Sequence, residues 1–227
     1  MTELAVSILK KIHFSLPSWR WKWEPEPFWR ALARMVALLF YNPKYTGFDQ
    51  VPTSGAAILI CNHVSYVDGL IIAAAFNRPV RFIIDTNIYN LPLVHYFMFY
   101  NRAIPILPTR ESVTGALEEV SAGLKAGDLV CIFPEGQLTY TGSLGRFKTG
   151  IESIIKRDPV PVYPIALTGL WGSIFSRKYR GTWKRFIPKR FTPRVHAICG
   201  APMAPETVTV NRLQETVLRL KYLAMNS

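Results

Sequence analysis

Negative charge is scarce in this sequence. Its 227 residues carry 15 Asp plus Glu against 27 Lys plus Arg, a formal net charge of +12. That imbalance points to an anionic partner: a nucleic acid, a membrane surface or a phosphorylated ligand. Cysteine is sparse too. Cys61, Cys131 and Cys199 are odd in number and each sits in an apolar stretch, which excludes a disulfide framework and reads as buried, reduced thiols of a cytoplasmic protein. No His/Cys spacing resembles a zinc site, so no metal is expected. Long apolar runs are also missing. The stretch Ala31–Tyr41 is about half of what a spanning helix needs and contains Arg34, so no bilayer crossing is expected. The start of the chain lacks the pattern of a secretory signal, and Met1-Thr2 offers no glycine for myristoylation. Internal repeats and low-complexity linkers are absent as well. With 49% hydrophobic residues the chain is too apolar to be disordered, and its length suits one domain with a full core.

Aromatic and basic residues are plentiful, and they occur together. Trp19, Trp21, Trp23, Phe28 and Trp29 alternate with Arg20, Lys22, Arg30 and Arg34 near the start. Rings beside cations suit the headgroup zone of a membrane, so an amphipathic helical segment over residues 1–41 is expected to lie on a bilayer. The plainer reading is a helix packing its tryptophans on the domain. A second basic tract runs from Trp171 to Gly200, without one acidic residue. It includes Arg177, Lys178, Arg180, Lys184 and Arg185 among eight positive charges, interleaved with Phe175, Tyr179, Trp183, Phe186 and Phe191. It reads as a solvated face, a single-stranded nucleic-acid site, a dock for an acidic carrier protein, or a contact with anionic lipid at about 1 kcal/mol per cation.

From residue 42 onward, short apolar runs alternate with helical stretches. Strands are expected over Ala56–Cys61, Val80–Ile84, Ala103–Ile106, Leu129–Phe133, Val160–Leu167 and Val195–Cys199. The prolines of the fifth suggest a sheet edge. Helices are expected over Asp68–Phe76, Asn87–Tyr100, Glu111–Lys125, Gly150–Lys156 and Val208–Ala224. Val113, Leu117, Val120 and Leu124 make one apolar stripe on the third. Such alternation predicts a single layered α/β domain over residues 42–227, with a largely parallel or mixed sheet flanked by helices.

Two strand ends carry candidate chemistry. In Asn62-His63-Val64-Ser65-Tyr66-Val67-Asp68 a strand gives way to a helix, where open α/β sheets place their ligands. A carboxylate on Asp68 can hold one imidazole nitrogen of His63 and leave the other free to take a proton. The same residues also read as a capping box from Ser65 to Asp68. Phe133-Pro134-Glu135-Gly136 ends the strongest strand, and alone it is an ordinary turn. Gly142, Gly145 and Gly150 follow, with Arg146 and Lys148, and flexible backbone plus cations can accept a phosphate or a thioester oxygen. No Gly-x-Ser-x-Gly elbow suggests a covalent serine.

Together the two segments resemble the glycerolipid acyltransferase family, which includes the 1-acylglycerol-3-phosphate acyltransferases. The resemblance runs from about Phe48 to Leu167, with Arg102 before Ala103-Ile104-Pro105-Ile106 matched to a second block and Val160–Ala166 to a fourth. It implies that His63 is a general base oriented by Asp68, and that Glu135, Gly136 and Arg102 line an acceptor pocket. The implied reaction moves a fatty acyl group from acyl carrier protein or coenzyme A to a lipid hydroxyl, without metal or other cofactor. It also implies a peripheral enzyme on the cytoplasmic side of the inner membrane, with no nucleic-acid partner. The third block departs from the family's Gly-Thr-Arg-Ser: here Gly136-Gln137-Leu138-Thr139 puts Leu138 where a phosphate-gripping arginine is usual. A lysine-bearing Ala-Lys-Lys-Glu-Leu segment is replaced by Asp85-Thr86-Asn87-Ile88-Tyr89. These losses favour a lysophospholipid over 1-acylglycerol-3-phosphate. Thr139–Leu144 also looks like the acyltransferase part of bifunctional 2-acylglycerophosphoethanolamine acyltransferases. Two other expectations remain: a non-phosphorylated acceptor (a glycolipid, amino-lipid or pigment hydroxyl), or a non-enzymatic domain that binds anionic lipid.

Overall fold

The computed structural model describes residues 26–173, 175–179 and 194–226. Seven strands form one sheet in the order β1-β7-β6-β2-β5-β3-β4. They are β1 (Lys44–Thr46), β2 (Ala57–Cys61), β3 (Val80–Asp85), β4 (Ile104–Ile106), β5 (Leu129–Ile132), β6 (Val162–Thr168) and β7 (His196–Cys199). All neighbours are parallel except β6 and β7, so the sheet is mixed. The helices are α1 (Glu26–Tyr41), α2 (Asp68–Ala74), α3 (Thr86–Tyr89), α4 (Pro92–Tyr100), α5 (Arg110–Lys125), α6 (Gly150–Arg157) and α7 (Val210–Asn226).

Strands β2 and β5 are apolar at every position because both faces of the sheet are covered. Along β2, Ala57, Leu59 and Cys61 join a core with Ala37 and Tyr41 of α1 and Ile71 and Ile72 of α2. Ile58 and Ile60 point the other way, into a core with Val120 and Leu124 of α5, Ile151 and Ile155 of α6, and Leu213 and Val217 of α7. The result is three layers. All three cysteines are free and buried, and burial pushes the Cys199 thiol up to about 12. Arg34 fastens α1 to the body: it donates to the Ala74 carbonyl (3.0 Å), the Phe76 carbonyl (3.1 Å) and Asn77 Oδ1 (2.6 Å).

Three expectations change in the structure. The single helix over residues 87–100 is two, because Pro92 disfavours the helical region at Leu91, which takes φ −67° and ψ 130°. On α5 the buried stripe is Ala116, Val120 and Leu124, while Val113 faces solvent. Strand β6 lies inside the sheet, between β2 and β7. Pro164 is tolerated there because it stands at the last rung toward β7, where its carbonyl still accepts the Gly200 N–H at 2.8 Å.

Candidate functional site

The turn between β2 and α2 carries His63 and Asp68. Asn62, which opens it, is locked across the sheet: its Nδ2 donates to the Leu167 carbonyl (3.0 Å) and its Oδ1 accepts the Leu167 N–H (2.7 Å). Asp68 is fully buried, and its Oδ2 lies 2.8 Å from His63 Nδ1. The same oxygen accepts the N–H groups of Val64 (2.6 Å) and Ser65 (2.9 Å). One carboxylate therefore both satisfies backbone donors and holds the imidazole. Ser65 is no helix cap, because Val67 precedes the first turn and makes no side-chain cap bond. With Nδ1–H donated to a carboxylate, the Nε2 lone pair is left to accept a proton. The imidazole stacks on Phe133, centroids 4.2 Å apart, which fixes its plane.

Glu135 ties this turn to the loop after β5. Its Oε1 accepts the His63 N–H and its Oε2 the Gly145 N–H, both at 2.8 Å. The Thr139 N–H donates to the His63 carbonyl at 2.9 Å, so His63 is held on both sides of its backbone. Burial raises the Glu135 carboxyl from its ordinary value; those backbone donors and the nearby His63 and Lys221 oppose the shift. Glu135 thus joins the histidine turn to the loop after β5, with one oxygen on each. Gly136 has φ +66°, and a Cβ added there would stand 2.5 Å from Lys148 Nζ, so the ammonium lies directly over the glycine. The sequence places no other residue type comfortably at that point.

Beside this strand end lies a cavity of about 930 Å³ whose lining includes Glu135, Leu138, Tyr140, Arg146 and Lys148. His63 is not among the lining residues; Glu135 joins the cavity to the histidine turn. Its loop is held from below by Lys221 of α7, whose Nζ donates to the Gly142 carbonyl at 2.7 Å. Burial lowers the Lys221 ammonium from its ordinary value, opposed by Glu135. Sequence reasoning missed Lys221, because nothing in a closing amphipathic helix marks one lysine as turned inward.

Arg102 does not join this group. It precedes β4, and its Nη1 lies 3.5 Å from Asp128 Oδ1 at the amino end of β5, beside the Arg81–Asp128 pair at 2.6 Å. His63 is at the carboxyl end of the sheet, and β5 alone is about 13 Å long at the usual rise per residue. The structure does not bring Arg102 together with the other expected acceptor residues: in a parallel sheet, the residue before a strand and the residue after it stand at opposite ends. Arg110, which follows β4 and begins α5, is the arginine carried toward the carboxyl end. Of the expected membrane contacts, Trp19, Trp21, Trp23, Arg180, Lys184 and Arg185 lie outside the described residues, Trp29 falls within α1, and Lys178 is exposed. Arg177 is turned inward: its Nη1 donates to the Leu138 carbonyl at 3.1 Å and its guanidinium lies 4.4 Å from the Tyr140 ring centroid. Among the described residues, no cluster of His, Cys, Asp or Glu is placed to hold a metal ion.

Comparison with known proteins gives the family. A family model described as Acyltransferase matches residues 42–168, which include His63, Asp68 and Glu135. The chain is 30% identical over 133 residues to the chloroplastic 1-acyl-sn-glycerol-3-phosphate acyltransferase LPAT1 of Arabidopsis thaliana, covering 57% of this chain and 37% of that protein. It is 25% identical over 185 residues to a probable 1-acyl-sn-glycerol-3-phosphate acyltransferase of Mycoplasma pneumoniae, covering 75% of this chain and 66% of the relative. The chain thus spans between roughly a third and two thirds of the length of these relatives. In fold it is similar to the crystal structure of the 1-acyl-sn-glycerophosphate acyltransferase PlsC from Thermotoga maritima, with a TM-score of 0.70 at 20% identity, over 97% of this chain and 88% of that one.

Proposed function

This chain belongs to the acyltransferase family, and we propose that it moves a fatty acyl group from an acyl thioester to the hydroxyl of a lysophospholipid or a 1-acylglycerol-3-phosphate. The donor is acyl carrier protein or coenzyme A carrying the chain. The observation that carries this reading is the His63–Asp68 pair, 2.8 Å apart, at the carboxyl end of a central strand inside the family match.

The reaction follows from that pair. A hydroxyl is a poor nucleophile at neutral pH, so His63 Nε2 takes its proton as the oxygen attacks the thioester carbonyl. The new C–O bond forms and the carbonyl oxygen gathers negative charge. Collapse breaks the C–S bond, and the imidazolium returns its proton to the leaving thiolate. Asp68, buried and held by two backbone donors, stabilises the imidazolium without taking the proton itself. Lys148 over Gly136 and Arg146 in the cavity wall bring positive charge for the acceptor headgroup or the developing oxyanion.

A membrane location accounts for the outer face of α1. Met35, Leu38, Leu39 and Phe40 are all at least half exposed there, while Ala33, Ala37 and Tyr41 dock on the core. No described helix is long and apolar enough to cross a membrane. On the proposed reading the enzyme sits on the cytoplasmic side of the inner membrane, with the exposed apolar face of α1 as part of its contact. Leu138, a buried apolar side chain in the cavity wall, favours a second reading, in which the acceptor carries no phosphate. A panel of acceptors decides between them. Purified protein is given either thioester with 1-acylglycerol-3-phosphate, lysophosphatidylethanolamine or monoacylglycerol. Product from a phosphate-bearing acceptor is expected; product from monoacylglycerol alone selects the second reading, and product from none contradicts both.

A further inference from the structure

Arg177 lies where three loops meet, and among the described residues no carboxylate faces its charge. The segment before it runs along the histidine turn: the Tyr66 N–H donates to the Phe175 carbonyl (3.2 Å), and Ser65 and Ser176 form an isolated antiparallel bridge. Ser65 Oγ and Ser173 Oγ lie 3.5 Å apart. From that anchor the side chain crosses to the loop after β5, where it holds the Leu138 carbonyl and covers the Tyr140 ring. Both of those residues line the 930 Å³ cavity. One side chain therefore links the turn that bears the base to the wall of the adjoining cavity.

A staple between loops needs one donor, and a guanidinium has five. The Leu138 carbonyl uses one. The Nε atom is buried and has no hydrogen-bond partner, and among the described residues no carboxylate pairs with Arg177. A half-buried charge without a counter-ion is unfavourable unless an anion arrives. The ring beneath it fixes the guanidinium plane, which is the condition for two-pronged binding of a phosphate. Leu138 can offer only its carbonyl to that wall.

We propose that Arg177 is a specificity-determining residue that binds the phosphate of the acceptor headgroup at the lip of this cavity. The proposal rests on the reading that the acceptor is a phosphate-bearing lysolipid. It gives the loop after β6 a part in substrate choice, and it removes Arg177 from the residues that face the membrane.

The test compares the full chain with Arg177→Gln and Arg177→Lys. Glutamine keeps a donor for the Leu138 carbonyl and removes the charge; lysine keeps the charge and loses the fork. KM and kcat are measured on 1-acylglycerol-3-phosphate and lysophosphatidylethanolamine, and binding of sn-glycerol 3-phosphate and of inorganic phosphate is measured by calorimetry. Arg177→Gln is expected to raise KM for both lipids about 10- to 100-fold, as loss of a charge-assisted contact does, with kcat within about twofold. Lysine is expected to fall between. Loss of kcat at unchanged KM, or unchanged kinetics, overturns the proposal and leaves a loop staple. Should wild type transfer to neither lipid, the function proposed above fails by itself. Calorimetry then decides on Arg177: binding of sn-glycerol 3-phosphate that Arg177→Gln abolishes upholds a phosphate site, and equal or absent binding ends it. Inorganic phosphate bound as tightly as sn-glycerol 3-phosphate, and lost equally in the variant, assigns the site to free phosphate and overturns headgroup recognition. Matching far-ultraviolet dichroism and melting temperatures verify that the variants fold.

Discussion

Asp68 takes no water contact, and one of its oxygens serves three donors at once, two from the backbone and one from the His63 ring. In Asp68→Asn the amide oxygen keeps the three donors and the amide nitrogen takes the buried position of the oxygen that has no partner, so the negative charge facing the imidazole is lost and two buried N–H groups go unsatisfied. The expected loss is about 10²- to 10⁴-fold in kcat, the range of a general base that no longer works, together with about 2 kcal/mol of stability from unsatisfied buried groups. Steady-state kinetics and urea unfolding read the two effects separately. Glu135 makes a different prediction, because both of its oxygens are used on backbone N–H groups. In Glu135→Gln the amide nitrogen meets one of those donors, the His63 turn loosens, and kcat falls about 10- to 100-fold with acceptor KM little changed. A rise in KM alone would show instead that Glu135 touches the acceptor.

Several side chains join elements across this fold, and Asn62 is the clearest. It closes two buried hydrogen bonds between the turn after β2 and strand β6, so Asn62→Leu leaves both Leu167 backbone groups unsatisfied. A loss of about 3 kcal/mol is expected in urea unfolding, from two orphaned groups at about 1–3 kcal/mol each. At this scale the sequence is readable where local chemistry decides. Unbroken apolar runs mark β2 and β5, and the His63–Asp68 spacing marks the turn between β2 and α2. It is less readable where the decision is made by partners far away in sequence. Pro161 and Pro164 suggest an edge, yet β6 is interior because a proline at the end of a ladder breaks no inner rung. Arg102 stands next to a strand, but its side of that strand becomes visible only when the sheet is assembled. Arg177 belongs to a basic tract that reads as surface, and its bond to the buried Leu138 comes from a loop 39 residues earlier, which nothing in the tract itself marks.

Taken as a whole, the molecule divides its charge between two tasks. Arg146, Lys148 and Arg177 gather around the cavity beside His63, while much of the rest lies in segments suited to an anionic surface. Vesicles containing anionic lipid should bind the protein, and Leu38→Glu with Leu39→Glu on the outer face of α1 should weaken binding at least tenfold in co-sedimentation, with melting unchanged because both side chains are exposed. Stability should also depend on pH through His196, which bridges Thr46 Oγ1 at 3.0 Å and the Ala224 carbonyl at 3.3 Å. Burial holds its imidazole below the ordinary 6.5. The unfolded chain therefore takes up a proton first as pH falls, and the stability present above about pH 6.5 is lost progressively below it. Urea midpoints across pH 5 to 8 should show that loss, with a shallower slope in His196→Gln.

The central claim is that the His63–Asp68 pair drives acyl transfer. The most direct measurement is the rate of acyl transfer from a radiolabelled thioester to a lysolipid by wild type and His63→Ala, with both shown to be folded. The account predicts product with wild type and a loss of at least about 10²-fold in His63→Ala, the contribution of a positioned base. A folded His63→Ala protein that transfers acyl groups at the wild-type rate would contradict it.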